Sequence, residues 1–406
     1  MKARSWLLAL LMVMALPGAA NAAPARTPVV LFPAWHFTRL EVTVHHQKAA
    51  PECPASGSFQ DLFLNDRPST TFSQICQDKL MTLRYDPAPW KPMPSRFSEQ
   101  PGVDVRIVDY GRTSSAPFYE TLYQTLESAG YVRDKDIRVA GYDARLTPDM
   151  GGFLGRAKRL VEDTYRDNGN RPVQLVGHSN GPLYIQYLLT HTSKAWRAKY
   201  VHGFTPLAGN FPGQGLLYSM MFTGLTVQDG SYPQTPEGAR SSALMYISHP
   251  STYMSSSDPR VFGDREVIVQ TPQRTYTPRD YRQLYADAGF PHAREIGDYY
   301  IGFVSLRFPG VDVYGEKGSG LPTIVGAQLP DLTVGQIVPT SRFLYRDGDA
   351  NQEDITNEAI LAWQGTPCYR FSLRDNPGVT HFDLPSNPNV LSRLLTDLGR
   401  QRSHCP

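Results

Sequence analysis

The sequence predicts an α/β fold, with a mostly parallel central sheet covered by helices and interrupted by cap or lid insertions. Two observations carry this. Apolar runs of strand length alternate with stretches of helical periodicity along much of the chain. One such run, Val173 to Val176, opens directly into Gly177-His178-Ser179-Asn180-Gly181 and then into a helical pattern. A Gly-x-Ser-x-Gly turn between a strand and a helix is the nucleophile elbow of an α/β-hydrolase.

The elements follow in chain order. Residues 1–22 read as a secretory signal: Lys2 and Arg4, an apolar run from Trp6 to Leu16, then Ala20-Asn21-Ala22. That run is too short to span a bilayer, and no later stretch is comparably apolar, so a secreted or periplasmic location is expected. Losing Lys2 and Arg4 takes the formal charge from +2 to 0. Such a balance gives no sign of a nucleic-acid partner. Residues 23–406 exceed a typical single core, and one hydrolase domain with insertions is preferred over two domains.

Pro28 to Pro33 has the composition of a buried strand, and Val103 to Val108 alternates like a half-exposed one. Phe118 to Ala129 reads as a helix, Ile137 to Ala140 as a strand and Arg156 to Tyr165 as a helix. Asn168-Gly169-Asn170 is a turn, Pro172 to Val176 a strand and Pro182 to Thr190 a helix. Two irregular stretches break this rhythm, about 45–80 and about 209–262. Long loops inside a compact domain are often lids or binding loops.

Cys53, Cys76, Cys368 and Cys405 are the only cysteines. An even count in an exported chain favours disulfides, and neither a Cys-x-x-Cys pair nor a His-rich cluster points to a metal. Three connectivities are open; Cys53 with Cys76 and Cys368 with Cys405 is favoured. No cofactor is expected.

A serine hydroxyl needs a base to remove its proton, so Ser179 requires a histidine and an orienting carboxylate from elsewhere in the fold. In this architecture they follow the serine in the order acid, then histidine. The best carboxylate lies in Phe343-Leu344-Tyr345-Arg346-Asp347-Gly348-Asp349, an apolar strand opening into an acidic turn. The best histidine is His381 in Gly378-Val379-Thr380-His381-Phe382. His178 points away from the chemistry and packs. A developing oxyanion needs two backbone N–H donors, which fall to Asn180, directly after the serine, and to Trp35, in the loop after the first strand.

Several segments together resemble the lecithin:cholesterol acyltransferase and lysosomal phospholipase A2 family. They are Pro28 to Pro33, Pro101 to Arg106, Gly130 to Asp134, Val176 to Ser179, Gln186 to Leu189, Ala195 to Tyr200, Thr271-Pro272 with Tyr276 to Tyr281, Tyr345 to Asp349 running without a gap to Ala362-Trp363, and Gly378 to His381. The resemblance covers nearly all of residues 27–400. It implies Ser179 as nucleophile, Asp349 rather than Asp347 as triad acid, and His381 as base. It also implies a phospholipid or other acyl lipid as substrate at a membrane or particle surface, with water or an alcohol as acyl acceptor.

Cys53 and Cys76 fall where that family has a disulfide-closed, membrane-touching loop, which gives Phe59, Leu62, Phe63 and Leu64 the role of lipid-surface contacts. Gln228 to Ser242 would be the lid. The sequence departs from the family at Ala34 and Phe37, where the loop glycines stand, and at Ala144 in Tyr142-Asp143-Ala144-Arg145, where the family has tryptophan. It departs again at Asn351-Gln352 after the acid and at Asn180 after the serine.

Overall fold

The computed structural model describes residues 26–48, 50–60, 73–225, 235–403 and 405. The signal segment 1–22, Leu62, Phe63, Leu64 and residues 228–234 of the expected lid lie outside them. Six parallel strands form the central sheet, in the order Phe371–Pro377, Val313–Ser319, Val201–Leu207, Val173–His178, Val29–Phe32 and Ile137–Val139. Alternate residues of each strand face opposite sides. Val30, Phe32, Val173, Leu175 and Phe204 enter one apolar cluster, with Phe153, Leu160, Leu183 and Leu188. Val29, Leu31, Ile137, Val139 and Val176 enter the other, with Leu122, Leu126, Leu391 and Leu394. The first face is thus covered by the helices Phe153–Asp167 and Gly181–Thr190, the second by Glu120–Ser128 and Pro388–Leu398. Burial on both faces is why the central strands Val29–Phe32 and Val173–His178 begin as apolar runs. Gln174, polar within the second of these runs, donates from Nε2 to Thr205 Oγ1 at 2.9 Å on the adjoining strand.

Two expected strands lie outside the central sheet. Val103–Ile107 pairs antiparallel with Leu40–Val44, which pairs in turn with Gly57–Gln60. One face of that small sheet meets solvent, which accounts for the alternation along Val103–Ile107. Phe343–Gly348 is the edge strand of a four-stranded sheet, paired to Leu321–Gln328.

The stretch 209–262, expected to be irregular, is largely helical where described: Leu216–Thr223, Pro236–Ser248, Pro250–Met254 and Pro259–Phe262. Its Gly, Pro and Ser residues act as helix punctuation. Proline opens three of these helices, where its missing N–H costs nothing. Thr235 Oγ1 accepts from Gly238 N at 3.1 Å, and Asp258 Oδ1 from Arg260 N at 2.9 Å, as N-caps. All eight residues of Leu216–Thr223 are buried, so tertiary burial decides its conformation. Pro236–Ser248 packs on Gln74–Met81, where Ser242 Oγ donates to Asp78 Oδ2 at 2.7 Å.

Cys53 is bonded to Cys76 and Cys368 to Cys405. The second bond pins the C-terminal segment, as does Ser403 N donating to Asp312 Oδ2 at 2.8 Å. No helix among the described residues is long and apolar enough to cross a membrane. Replacing both Cys368 and Cys405 by alanine frees a loop spanning 37 positions. The unfolding free energy in guanidinium is expected to fall by roughly 4 kcal/mol, the chain-entropy value for a loop of this size.

Candidate active site

Ser179 sits between the strand Val173–His178 and the helix Gly181–Thr190 with φ of 60°, the left-handed region that non-glycine residues seldom adopt. The turn survives because its neighbours hold it. Ser179 N donates to Leu207 O at 2.9 Å, and its carbonyl accepts from Asn210 N at 3.0 Å. Glycines flank it for want of room. A Cβ on Gly177 would stand 2.7 Å from Pro182 N, and one on Gly181 would stand 2.1 Å from Phe32 O.

Asp349 follows the edge strand Phe343–Gly348 and is fully buried. Its Oδ1 accepts from the amides of Asn351 (3.0 Å) and Gln352 (2.6 Å), which hold the carboxylate in a tight turn. Its Oδ2 accepts from His381 Nδ1 at 2.9 Å. His381 N donates to Asp349 O at 2.7 Å, so the two residues are joined through both backbone and side chain. Asp347, the alternative acid, is exposed on the strand. With the His381 proton on Nδ1, the lone pair of the neutral ring lies on Nε2. That atom is buried and has no hydrogen-bond partner among the described residues.

The Trp35 loop follows the strand Val29–Phe32. Trp35 Nε1 donates to Ala144 O at 2.6 Å and approaches Ser251 Oγ at 3.3 Å, which fixes the ring and with it the main chain. Tyr142 Oη donates to Pro33 O at 2.7 Å from the same segment as Ala144. Asn180, the other expected oxyanion donor, is buried after the serine. Its Oδ1 accepts from Asn210 Nδ2 and its Nδ2 donates to Ser255 Oγ, both at 2.8 Å. Phe59 is half-buried against the apolar core rather than fully displayed.

Several residues here were not singled out by sequence reasoning. Asn210 and Ser255 satisfy Asn180 from the insertion, and the unusual polar residue after the serine was the one signal of them. Arg145 is fully buried. Its guanidinium pairs with Asp143 Oδ2 at 2.7 Å and Glu99 Oε1 at 2.5 Å, which anchors the segment that receives Trp35. His178, read as a packing residue, makes hydrogen bonds from both ring nitrogens.

Beyond the Asp349 turn lies a cavity of about 860 Å³, lined among others by Phe262, Glu266, Tyr345, Asp347 and Glu353. Glu266 and Glu353 are buried in contact. Ser257 Oγ donates to Glu266 Oε1 at 3.1 Å, and Gly215 N to Glu353 Oε1 at 3.3 Å. Burial drives both carboxyls above the ordinary glutamate range, and the nearness of Glu353 pushes Glu266 further up. Among the described residues no group of three or more His, Cys, Asp or Glu side chains converges as metal ligands.

A family model described as lecithin:cholesterol acyltransferase matches residues 95–293 of this chain. A lysosomal phospholipase A and acyltransferase of Homo sapiens is 29% identical over 321 residues, covering 74% of each chain. A phosphatidylcholine-sterol acyltransferase of Homo sapiens is 30% identical over 303 residues, covering 71% of this chain and 66% of its own length. Among solved structures, a chain of the Tle4-Tli4 complex superposes with a TM-score of 0.57 at 10% identity. It covers 93% of this chain and 98% of its own, which shows a shared fold.

The glycine contacts predict that Gly181→Ala pushes the Phe32–Pro33 backbone away from the serine. Labelling of Ser179 by a fluorophosphonate is expected to slow by about 100-fold, with a stability loss of only about 1–3 kcal/mol in urea. The acid pair makes a prediction about pH. An ordinary glutamate titrates near 4.5, whereas burial pushes Glu353 up to about 7. Between these values the unfolded chain has released protons that the native chain still holds, so this pair's contribution to stability declines as pH rises, and Glu266, also held well above the ordinary value, adds to the decline. Urea unfolding at about pH 5 and about pH 8 should show that decline in the wild type and a shallower one in Glu353→Gln.

Proposed function

This chain belongs to the lecithin:cholesterol acyltransferase family, and from that premise and the site geometry we propose an exported serine acyl-hydrolase and acyltransferase that cleaves ester bonds of phospholipids or related acyl lipids. The observation that carries the mechanism is the buried Asp349–His381 pair, whose remaining imidazole nitrogen has its lone pair unspent. In this reading Ser179 is the nucleophile, His381 the general base and Asp349 the acid that holds the working tautomer.

The steps follow from those roles. His381 Nε2 takes the Ser179 proton as Oγ attacks the ester carbonyl, and the tetrahedral oxyanion forms against the amides of Trp35 and Asn180. Each such donor is worth about 3 kcal/mol in the transition state of a serine hydrolase. As the intermediate collapses, His381 returns the proton to the departing lipid alcohol and Ser179 keeps the acyl group. Water or another alcohol, deprotonated by His381, then attacks that ester and frees the serine.

The relatives support both outcomes: one is a phospholipase A and acyltransferase, the other a phosphatidylcholine-sterol acyltransferase. We read residues 23–406 as one hydrolase domain, with the Cys53–Cys76 loop as its lipid-facing insertion and the segment around 228–242 as lid. Leu62, Phe63 and Leu64 are the loop's proposed lipid contacts, with Phe59 at its base. Two disulfides fit an oxidising compartment, in keeping with residues 1–22 as an export signal.

Mass spectrometry of products from phosphatidylcholine vesicles, with and without an added long-chain alcohol or sterol, reports the bond cleaved and the acceptor together. Free fatty acid is expected from vesicles alone and a new ester when the alcohol is present. Ser179→Ala should lower both by about 10⁴-fold or more. Turnover confined to a water-soluble acetate ester would refute the lipid assignment.

A further inference from the structure

His178 ends the strand Val173–His178, fully buried, immediately before the serine. Its Nδ1 lies 3.0 Å from Tyr119 Oη, and its Nε2 lies 3.0 Å from the main-chain oxygen of His381. Tyr119 Oη also accepts from Ala34 N at 2.7 Å. The direction of every proton follows from its neighbours. An amide N–H can only donate, so Tyr119 accepts from Ala34 and has its own hydrogen left for His178 Nδ1. A carbonyl can only accept, so the His178 proton sits on Nε2 and goes to His381 O. The ring is neutral in this arrangement. A second proton, on Nδ1, would strand the Tyr119 hydrogen in a buried site.

The chain of bonds has two ends, and both matter. One is the amide of Ala34, next to Trp35 in the oxyanion loop. The other is the backbone of His381, whose N is held by Asp349 O and whose Nδ1 is held by Asp349 Oδ2. With His178 on its carbonyl, every polar atom of His381 except Nε2 has a partner. The His178 and His381 ring centroids are 4.8 Å apart, so a charge on one is felt by the other. Among the described residues, the titratable groups against His178 are Tyr119 and His381. The remaining rings there belong to Phe118 and Phe382.

We propose that His178 is a positioning residue: through Tyr119 it ties the loop bearing the Trp35 amide to the loop bearing His381, and by remaining neutral it lets His381 become a cation during turnover. Burial and the neighbouring His381 both push His178 well below the ordinary histidine range, which agrees with that state. The inference rests on His381 being the general base.

Three variants test it: Tyr119→Phe, His178→Leu and His178→Gln. Each is read by the rate of fluorophosphonate labelling of Ser179, by kcat and KM on a soluble short-chain ester across pH, and by thermal midpoint. Leucine keeps the bulk and loses both hydrogen bonds, while glutamine presents an amide N–H where Nε2 stood. Tyr119→Phe and His178→Leu are expected to lower kcat and labelling by at least about tenfold with KM within about twofold. His178→Gln should recover most of that loss.

In Tyr119→Phe the acid limb of kcat/KM should move to higher pH, because Nδ1 can then take a proton. A packing role predicts the opposite order, with leucine equal to or faster than glutamine, and that order would overturn the proposal. So would a folded Tyr119→Phe enzyme with unchanged kcat and an unmoved acid limb, which decides the matter alone if His178→Leu does not fold. Wild-type protein that fails to label refutes the triad and this inference together. Labelling of the wild type and all three variants at equal rates refutes this inference only.

Discussion

The helix that follows Ser179 starts so near the adjoining strand that a Cβ on Gly181 would stand 2.1 Å from the Phe32 carbonyl oxygen. Nearly every other feature of the site inherits its position from that approach. It brings the start of the Pro33–Phe37 loop against the residue that opens the helix after the serine. It also compresses the strand-to-helix turn until Ser179 takes a positive φ. A strained conformation of this sort costs on the order of 1–3 kcal/mol and persists only when its surroundings over-determine it. Here the hydrogen bonds to Leu207 and from Asn210 do so.

The departures from the family pattern are intelligible as repairs around this fixed turn. Where the family places tryptophan stands the buried Ala144, whose main-chain oxygen accepts from the Trp35 indole. Asn180 would be an expensive buried amide by itself, but Asn210 and Ser255 satisfy it from the insertion. Phe37, standing for a loop glycine, stacks among Phe118, Tyr119 and Phe382 and fills the space between the Trp35 loop and the His381 loop. The surroundings of the serine are therefore assembled from stretches far apart in the chain, each made to fit by its neighbours.

Charge is treated differently on the two sides of this assembly. Arg145 is buried under the Trp35 loop with two carboxylates around its guanidinium, which compensates the desolvation of all three groups. On the far side, Glu266 and Glu353 are buried together, and burial raises both carboxyls above the ordinary glutamate range. Glu353 also accepts from Gly215 N, at the start of the buried helix Leu216–Thr223. The Asp349 turn is thus fastened to the insertion through Glu353 and the Gly215 amide.

The parallel sheet and the elbow were legible in the chain because both write themselves locally. Strands buried on both faces become apolar runs, and a crowded turn demands glycine on each side of its serine. Chain order after the serine pointed to the Asp347–Asp349 turn and to His381, and only the choice of Asp349 over Asp347 needed the resemblance, since a carboxylate at the end of one strand and a histidine in a loop carry no mutual signal. The sheet that each strand joins was not legible: Val103–Ile107 and Phe343–Gly348 pair with strands far from the centre, and strand composition says nothing about partners. Nor was the helical character of 209–262, where Pro236, Pro250 and Pro259 open helices and Gly224 closes one rather than marking loops. His178 marks the boundary most clearly. Its place next to the serine is a fact of sequence, whereas its two hydrogen bonds join residues 59 and 203 positions away. Only the folded chain brings such groups together, because hydrogen bonds act over about 3 Å and are indifferent to distance along the sequence.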